Sequence, residues 1–370
     1  MKITFVLPFA GLAGGIRVAA IYAKYLQDKG HDVTVVSTPK PGPGTVKERL
    51  KKLLTEGLPK KAGHEPGHFD HLNVRHKVID RWRPVVASDV PDADVIIATW
   101  WETAEWVVRL PPEKGTKVYF IQHDERFQYM PAARVEKTWQ MPFYRITIAE
   151  WLVDLGRHHY HVDQVALVPN GVDTDQFTAP PREKNVTPTI GLMYAPTPFK
   201  GVDISLKAFD MAARNVAGLE MVAFGQHLPT ESLPLPRGAR FTHRPAQDRI
   251  KDIYAACDAW LFGSRSEGFG LPILEAFACR TPVIGTPTGA APELCKTGGV
   301  LVKPQDPLDM ARAIERVCRL SKPEWRALSD AAYDTAQRNT WGRCGEMFEA
   351  ALLDARARDG TRAGSSPTGG

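Results

Sequence analysis

The chain has 370 residues, 43% of them hydrophobic and 24% charged, with a formal net charge of +5 and five cysteines. That length exceeds what one hydrophobic core usually serves, so two domains are expected, and the composition excludes disordered, collagen-like and disulfide-scaffold classes. No apolar run approaches the roughly 18 residues of a membrane span. Arg17 and Lys24 interrupt the pattern of a secretory leader soon after the first apolar stretch. The cysteines at 257, 279, 295, 318 and 344 are widely spaced and form no C-x-x-C pair, which predicts a reduced, cytoplasmic protein without structural zinc.

In chain order, Lys2 to Leu7 reads as a buried strand, Pro8 to Gly15 as a glycine-rich loop, Ile16 to Asp28 as a helix ended by Gly30, and Val33 to Ser37 as the next strand. Between Thr45 and Arg83 stand ten Lys or Arg against five Asp or Glu, together with His64, His68, His71 and His76. The stretch Val46–Leu54 has the pattern of a basic amphipathic helix. Attraction to an anionic membrane surface is one reading of this segment, a solvated face the other; the histidines lack metal-ligand spacing. The five acids and the absence of a recognisable module exclude nucleic acid as a partner. Further strands are predicted at Val95–Ala98, Lys117–Ile121, Arg145–Ala149 and Val165–Val168, with helices between several of them.

Pro169-Asn-Gly171 and the turn-rich segment after it mark a boundary between a first domain, 1–170, and a second, 171–340. The second repeats the alternation: strands at 189–193, 219–224, 258–262 and 282–285, helices at 202–215, 247–256 and 271–278, then helices at 307–320, 322–338 and from 341. Residues 341–356 are expected to pack back on the first domain and 357–370 to be a disordered tail. The fold class is α/β, with two Rossmann-like parallel-sheet domains whose ligands belong beyond the carboxyl ends of the strands, in the cleft between them.

Glu267 and Glu275 bracket Gly-Phe-Gly-Leu-Pro-Ile-Leu. Pro272 suits the first turn of a helix, which puts Glu267 in the loop before it and Glu275 on the helix. Amides at such a helix start attract phosphate, and glycines let a ligand approach the main chain. Two carboxylates then flank an anion site; a solvated loop charge and a polar helix face are the plainer alternatives. Other loops that follow strands supply further candidates. Gly14 and Gly15 precede the first helix, and His123 stands where a strand ends. Lys200 with Gly201 places a positive charge at another helix start, and Arg265 lies two residues before Glu267. Asp92 and Asp94 form a D-x-D pair, read as a polar strand entry rather than a metal site. Trp100, Trp101 and Trp106 are either packed in the core or a surface for sugar rings.

These residues resemble glycosyltransferase family 4. The resemblance rests on Ser264-Arg-Ser-Glu-Gly-Phe-Gly-Leu-Pro-Ile-Leu-Glu-Ala276, Thr281-Pro-Val-Ile284, Pro292-Glu-Leu294, Pro169-Asn-Gly-Val-Asp173 with Phe177, and Gly30-His-Asp-Val-Thr-Val35. It implies the GT-B fold and a retaining, metal-independent transfer of a sugar from a nucleoside diphosphate; the basic segment at 45–83 adds the expectation of a saccharide or lipid-linked acceptor at the cytoplasmic membrane face. No cofactor or metal is expected. By position it implies that Glu275 holds the ribose, Glu267 contacts the reacting sugar, and Phe269, Gly270 and Leu271 cradle the phosphates with Lys200. Gly15 would cover the diphosphate and His123 bind a sugar hydroxyl. His243-Arg-Pro245 is a candidate for the base. Two departures stand out. Met193 and Tyr194 occupy the region where the family carries an Arg ahead of the Lys, leaving Arg265 as a substitute phosphate cation, and Arg280 stands where the family has Gly. A sugar-nucleotide epimerase or hydrolase, and a catalytically weak scaffold that binds sugar nucleotides, are the competing functions.

Overall fold

A computed structural model describes residues 1–40 and 67–364. The chain divides into two compact units: Met1–Thr147 with Leu152–Val168 and the chain from Gly345 onward, and Ile148–Trp151 with Pro169–Cys344. Among the described residues the first unit holds a sheet in the order β3-β2-β1-β4-β5-β6-β7. Its strands are β1 (Lys2–Leu7), β2 (Asp32–Ser37), β3 (Arg75–Val78), β4 (Val95–Ala98), β5 (Thr116–Ile121), β6 (Tyr144–Thr147) and β7 (Val165–Leu167). The second unit holds the order β10-β9-β8-β11-β12-β13, from β8 (Thr189–Met193), β9 (Glu220–Gly225), β10 (Arg240–His243), β11 (Ala259–Phe262), β12 (Val283–Gly285) and β13 (Gly299–Leu301).

Among the described residues every pairing between these strands is parallel, so both faces of each sheet need helices, and the inner strands β1, β4 and β11 are correspondingly apolar and buried. Each sheet reverses its winding between its first and fourth strands: β1 against β4, and β8 against β11. Loops beyond the carboxyl ends of those strands diverge and leave a crevice where ligands of doubly wound sheets bind.

Local signals set the helix ends. Asp306 caps helix Pro307–Arg319 by accepting the amides of Leu308 and Asp309 at 3.0 Å each, and Ser321 with Glu324 forms a capping box on helix Lys322–Arg338. Helix Leu271–Ala278 ends in a Schellman arrangement, with Thr281 N–H on the Ala276 carbonyl and Arg280 N–H on that of Phe277. Arg280 is the left-handed residue, at φ 58°. Its side chain explains how a non-glycine holds that conformation. The guanidinium pairs with Asp330, donates to the Ala179 carbonyl at 3.2 Å and lies 3.9 Å from the Tyr333 ring centre.

The last helix runs Trp341–Gly364, so residues 357–364 are helical where a tail was expected; 365–370 lie outside the described residues. Phe348 stacks on Tyr22 at 4.3 Å and meets Phe120 edge-on at 5.1 Å, fixing this helix in the first unit's core. Of the basic segment, 45–66, including His64 and the Val46–Leu54 stretch, lies outside the described residues. In the described remainder Arg75 pairs with Asp32, Arg81 and Arg83 with Asp80, Arg83 also with Asp89, and Lys77 with the Asp89 carbonyl. Among the described residues no helix is long and apolar enough to cross a membrane.

Candidate functional site

In the second unit, Lys200 follows β8 and Glu267 follows β11, the two strands at the winding reversal. Their loops are held together by close main-chain contact. Gly201 has φ 60°, and a Cβ there would fall 1.8 Å from the Gly263 carbonyl oxygen; only glycine fits the turn that starts helix Val202–Ala212. Lys200 Nζ donates to Glu267 Oε1 at 2.8 Å, and Ser264 Oγ donates to the same oxygen at 2.8 Å. The Glu267 side chain is 13% exposed and that of Lys200 25%, so the pair is partly withdrawn from water without being sealed. Lys200, Ser205, Gly263, Ser264, Glu267 and Pro272 line one shallow depression.

Gly270 caps helix Leu271–Ala278 at φ 99°, where a Cβ would meet the Phe262 ring at 2.8 Å. Pro272 occupies the first turn, so the helix opens without losing a hydrogen bond. Glu275 lies one turn on, with its Oε2 accepting from the Tyr254 hydroxyl at 3.0 Å. Phe269 is itself buried; its carbonyl accepts from Ala290 N–H at 2.8 Å. Gly289, at φ 58°, lets the neighbouring loop approach, since a Cβ there would sit 2.5 Å from the Phe269 oxygen and 3.0 Å from Glu267 Cβ.

Arg265 is bound elsewhere. Its Nη1 and Nη2 make a bidentate pair with Asp203 at 2.8 and 2.7 Å, and Nη1 also donates to the Pro198 carbonyl at 2.5 Å. The hydrogen bond from Arg265 holds the Asp203 carboxyl below its ordinary range. Arg265 therefore fastens the turn that carries Lys200, and a phosphate would have to displace Asp203 to reach its guanidinium. Met193 lines the depression, while Tyr194 is buried with its hydroxyl on the Leu233 carbonyl at 2.9 Å. His243 stands on the edge strand β10, its Nε2 3.1 Å from the Gln226 carbonyl.

In the first unit, Gln122 Nε2 donates to the Gly15 carbonyl at 3.0 Å, which brings the loop after β1 to that after β5, where His123 follows. His123 Nδ1 lies 2.8 Å from the Asp124 carbonyl oxygen. A carbonyl only accepts, so Nδ1 is the protonated nitrogen in this contact. Gly14 opens helix Gly14–Asp28 in open space. The tryptophan cluster is mainly core: Trp101 and Trp106 are buried, and Trp100 is half-buried. Asp92 pairs with Lys114 at 2.7 Å, and Asp94 accepts from Lys2 N–H at 2.7 Å and pairs with Arg356 at 3.0 Å.

Four residues of consequence were not apparent from the sequence. Tyr254 and Ser264 hold the two carboxylates, and Gly289 admits the adjoining loop. The fourth, Glu125, is fully buried and accepts Trp101 N–H at 2.7 Å; burial pushes its carboxyl well above the ordinary range.

Comparison with known proteins places these features. The profile of Glycosyltransferase Family 4 matches residues 13–176 and that of Glycosyl transferases group 1 matches residues 184–319. A D-inositol 3-phosphate glycosyltransferase of Geodermatophilus obscurus is 28% identical over 94% of this chain and 86% of its own. That of Stackebrandtia nassauensis is 29% identical over 59% of this chain, which spans only 55% of that relative's length. Among solved structures, Anabaena HepE in complex with UDP superposes with a TM-score of 0.71 at 17% identity, covering 96% of this chain and 100% of that one. Sucrose-phosphate synthase from Thermosynechococcus elongatus gives 0.67 at 17% identity, over 99% and 100%. Two profiles that together match residues 13–176 and 184–319, one on each doubly wound parallel sheet, show that the chain belongs to glycosyltransferase family 4.

Proposed function

We propose that the protein is a retaining, metal-independent glycosyltransferase that moves a sugar from a nucleoside diphosphate to a saccharide or lipid-linked acceptor. The observation that carries this reading is the joining of Lys200, Ser264 and Glu267 at the strand reversal of the second sheet, beside the glycine start of the helix that bears Glu275. In the reaction a bond forms between the acceptor oxygen and the anomeric carbon, the acceptor proton is released, and the bond from that carbon to the diphosphate breaks. Negative charge then grows on the leaving diphosphate. Lys200 and the amides of Phe269, Gly270 and Leu271 offset it, a preorganised stabilisation that does the work a metal does in other enzymes. Glu275, oriented by Tyr254, takes the ribose hydroxyls, and Glu267 faces the reacting sugar. In the first unit, Gly15 and His123 contribute to diphosphate and sugar binding.

HepE was solved with UDP and with UDP-glucose, which puts uridine first among donors to be tried. The names of the relatives add a polyol phosphate to the acceptors. A thermal-shift screen of UDP, GDP, dTDP and ADP identifies the base, because a ligand that binds only the folded state raises the melting temperature. Transfer is then measured with the matching sugar nucleotide. Full activity in the Glu267→Ala, Glu275→Ala double variant overturns the site, an inverted product anomer by NMR overturns retention, and loss of activity in chelator overturns metal independence. Residues 45–83 are assigned to an anionic membrane surface; protein that stays at the bottom of a flotation gradient with anionic liposomes refutes that part.

A further inference from the structure

We propose that Trp151 is a positioning residue for the phosphate-binding loop, acting through the peptide that follows Glu267. The inference rests on the donor-site reading above and adds to it a residue from a distant part of the sequence. Trp151 Nε1 donates to the carbonyl of Gly268 at 2.9 Å across 117 residues of chain. The segment Ile148–Trp151 that carries it belongs to the second unit, although the chain on either side belongs to the first. Its place is fixed independently, because Glu150 N–H donates to Glu293 Oε1 at 2.7 Å.

Peptide geometry turns this one bond into an orientation. Among the described residues no peptide bond is cis, and in a planar trans peptide the C=O and N–H point in opposite directions. Holding the Gly268 carbonyl on the indole therefore turns the N–H of Phe269 to the other side. The next peptide is held in the same way, since the Phe269 carbonyl accepts from Ala290 N–H at 2.8 Å, which directs the Gly270 N–H. Two successive carbonyls are thus pinned from two places, Trp151 and the loop at Gly289–Ala290, and each fixes the direction of the amide that follows it. Gly268 has no side chain to restrict its own torsions, so the loop needs an outside constraint at that residue. Trp151 supplies it with a bond that phenylalanine cannot make.

The test compares wild type with Trp151→Phe, which keeps an aromatic body and removes the donor. Amide exchange is followed at Phe269 and Gly270 without ligand. Affinity is measured for whichever of UDP, GDP, dTDP and ADP stabilises the wild type most. The expected result is exchange about tenfold faster at these two amides and a dissociation constant about tenfold higher, with an unchanged melting temperature and unchanged exchange in the strands of the second sheet. Unchanged exchange at Phe269 and Gly270, or faster exchange with unchanged affinity, overturns the role of Trp151 and leaves the donor site standing. If Trp151→Phe fails to fold, the wild-type indole N–H is read by NMR: slow exchange and a shift on nucleotide addition support the role, and a rapidly exchanging, unresponsive indole overturns it. Failure of all four nucleotides to bind wild type refutes the donor-site reading itself, an outcome distinct from either result for Trp151.

Discussion

Glu267→Gln should bind nucleoside diphosphate more tightly than wild type while losing transfer. In the unliganded protein Lys200 is paired with Glu267 at 2.8 Å, so a diphosphate that recruits Lys200 must draw it from the carboxylate and settle near a negative charge. The side chains are 25% and 13% exposed, which keeps the net worth of the pair near the upper end of solvent-screened values, about 1 kcal/mol. Removing the charge of Glu267 frees that amount for the ligand, and about 1 kcal/mol is roughly a fivefold gain in affinity. Lys200→Met acts in the opposite sense. It removes a charge-assisted hydrogen bond of about 1.5–3 kcal/mol, a loss of roughly ten- to 150-fold in affinity. It also leaves the Glu267 carboxylate, which accepts from the Ser264 hydroxyl, without its cation, so the Lys200→Met, Glu267→Gln double variant should be more stable than Lys200→Met alone. Calorimetric titration with the nucleotide found by thermal shift, alongside urea unfolding of all four proteins, gives both cycles. Weaker binding by Glu267→Gln than by wild type would refute the idea that Lys200 is shared between carboxylate and phosphate.

Tyr254→Phe removes the hydroxyl that holds Glu275 at 3.0 Å, and should cost about 0.5–1.5 kcal/mol of nucleotide affinity; the preference for a ribonucleotide over its 2′-deoxy form should narrow, and an unchanged preference contradicts the assignment of Glu275 to ribose. Arg280→Ala keeps the left-handed backbone at φ 58° while losing the bonds to Ala179 and Asp330. Arg280→Gly loses the same bonds but relieves the backbone, so by chemical unfolding it should be the more stable of the two by about 1 kcal/mol. Glu125 has a folded-state value well above its ordinary 4.5, so its contribution is complete below 4.5 and is lost as pH rises toward the folded value. Glu125→Gln should therefore gain on wild type over that window by up to about 1.4 kcal/mol per pH unit, and stability curves that stay parallel between pH 5 and 8 would count against a neutral Glu125.

The fold was legible where burial dictated sequence. Parallel strands covered on both faces must be apolar along their length, and β4 (Val-Ile-Ile-Ala) and β11 (Ala-Trp-Leu-Phe) are wholly buried. Edge strands carry no such signature. Arg75–Val78 and Arg240–His243 are mostly exposed and polar, and only their pairing to β2 and β9 makes them strands. The end of the last helix was missed for a related reason. The composition of 357–370 reads as a disordered tail, but Arg358 pairs with Asp354 one turn back and Arg356 with Asp94, contacts that a reading of local propensity does not contain.

The site divides along the same line. The local placement of Glu267 in a loop, Gly270 at a helix start and Glu275 on the helix was readable because these residues are contiguous. Their supports come from Tyr254, Lys200 and Trp151, brought together by the winding of the sheet rather than by sequence distance. Arg265 shows how adjacency can mislead. Standing two residues from Glu267, it reads as a second phosphate cation, yet its guanidinium clasps Asp203 and the Pro198 carbonyl, and its main-chain N–H donates to the Phe199 carbonyl at 2.7 Å. The turn so fastened is the one that bears Lys200. Where Met193 and Tyr194 occupy the region of the family's Arg, this chain fixes the cation it has in place instead of supplying another. In the proposed reaction the diphosphate charge would fall on one ammonium and on oriented amides, which is why the geometry of the Gly268–Gly270 peptides carries so much of that proposal.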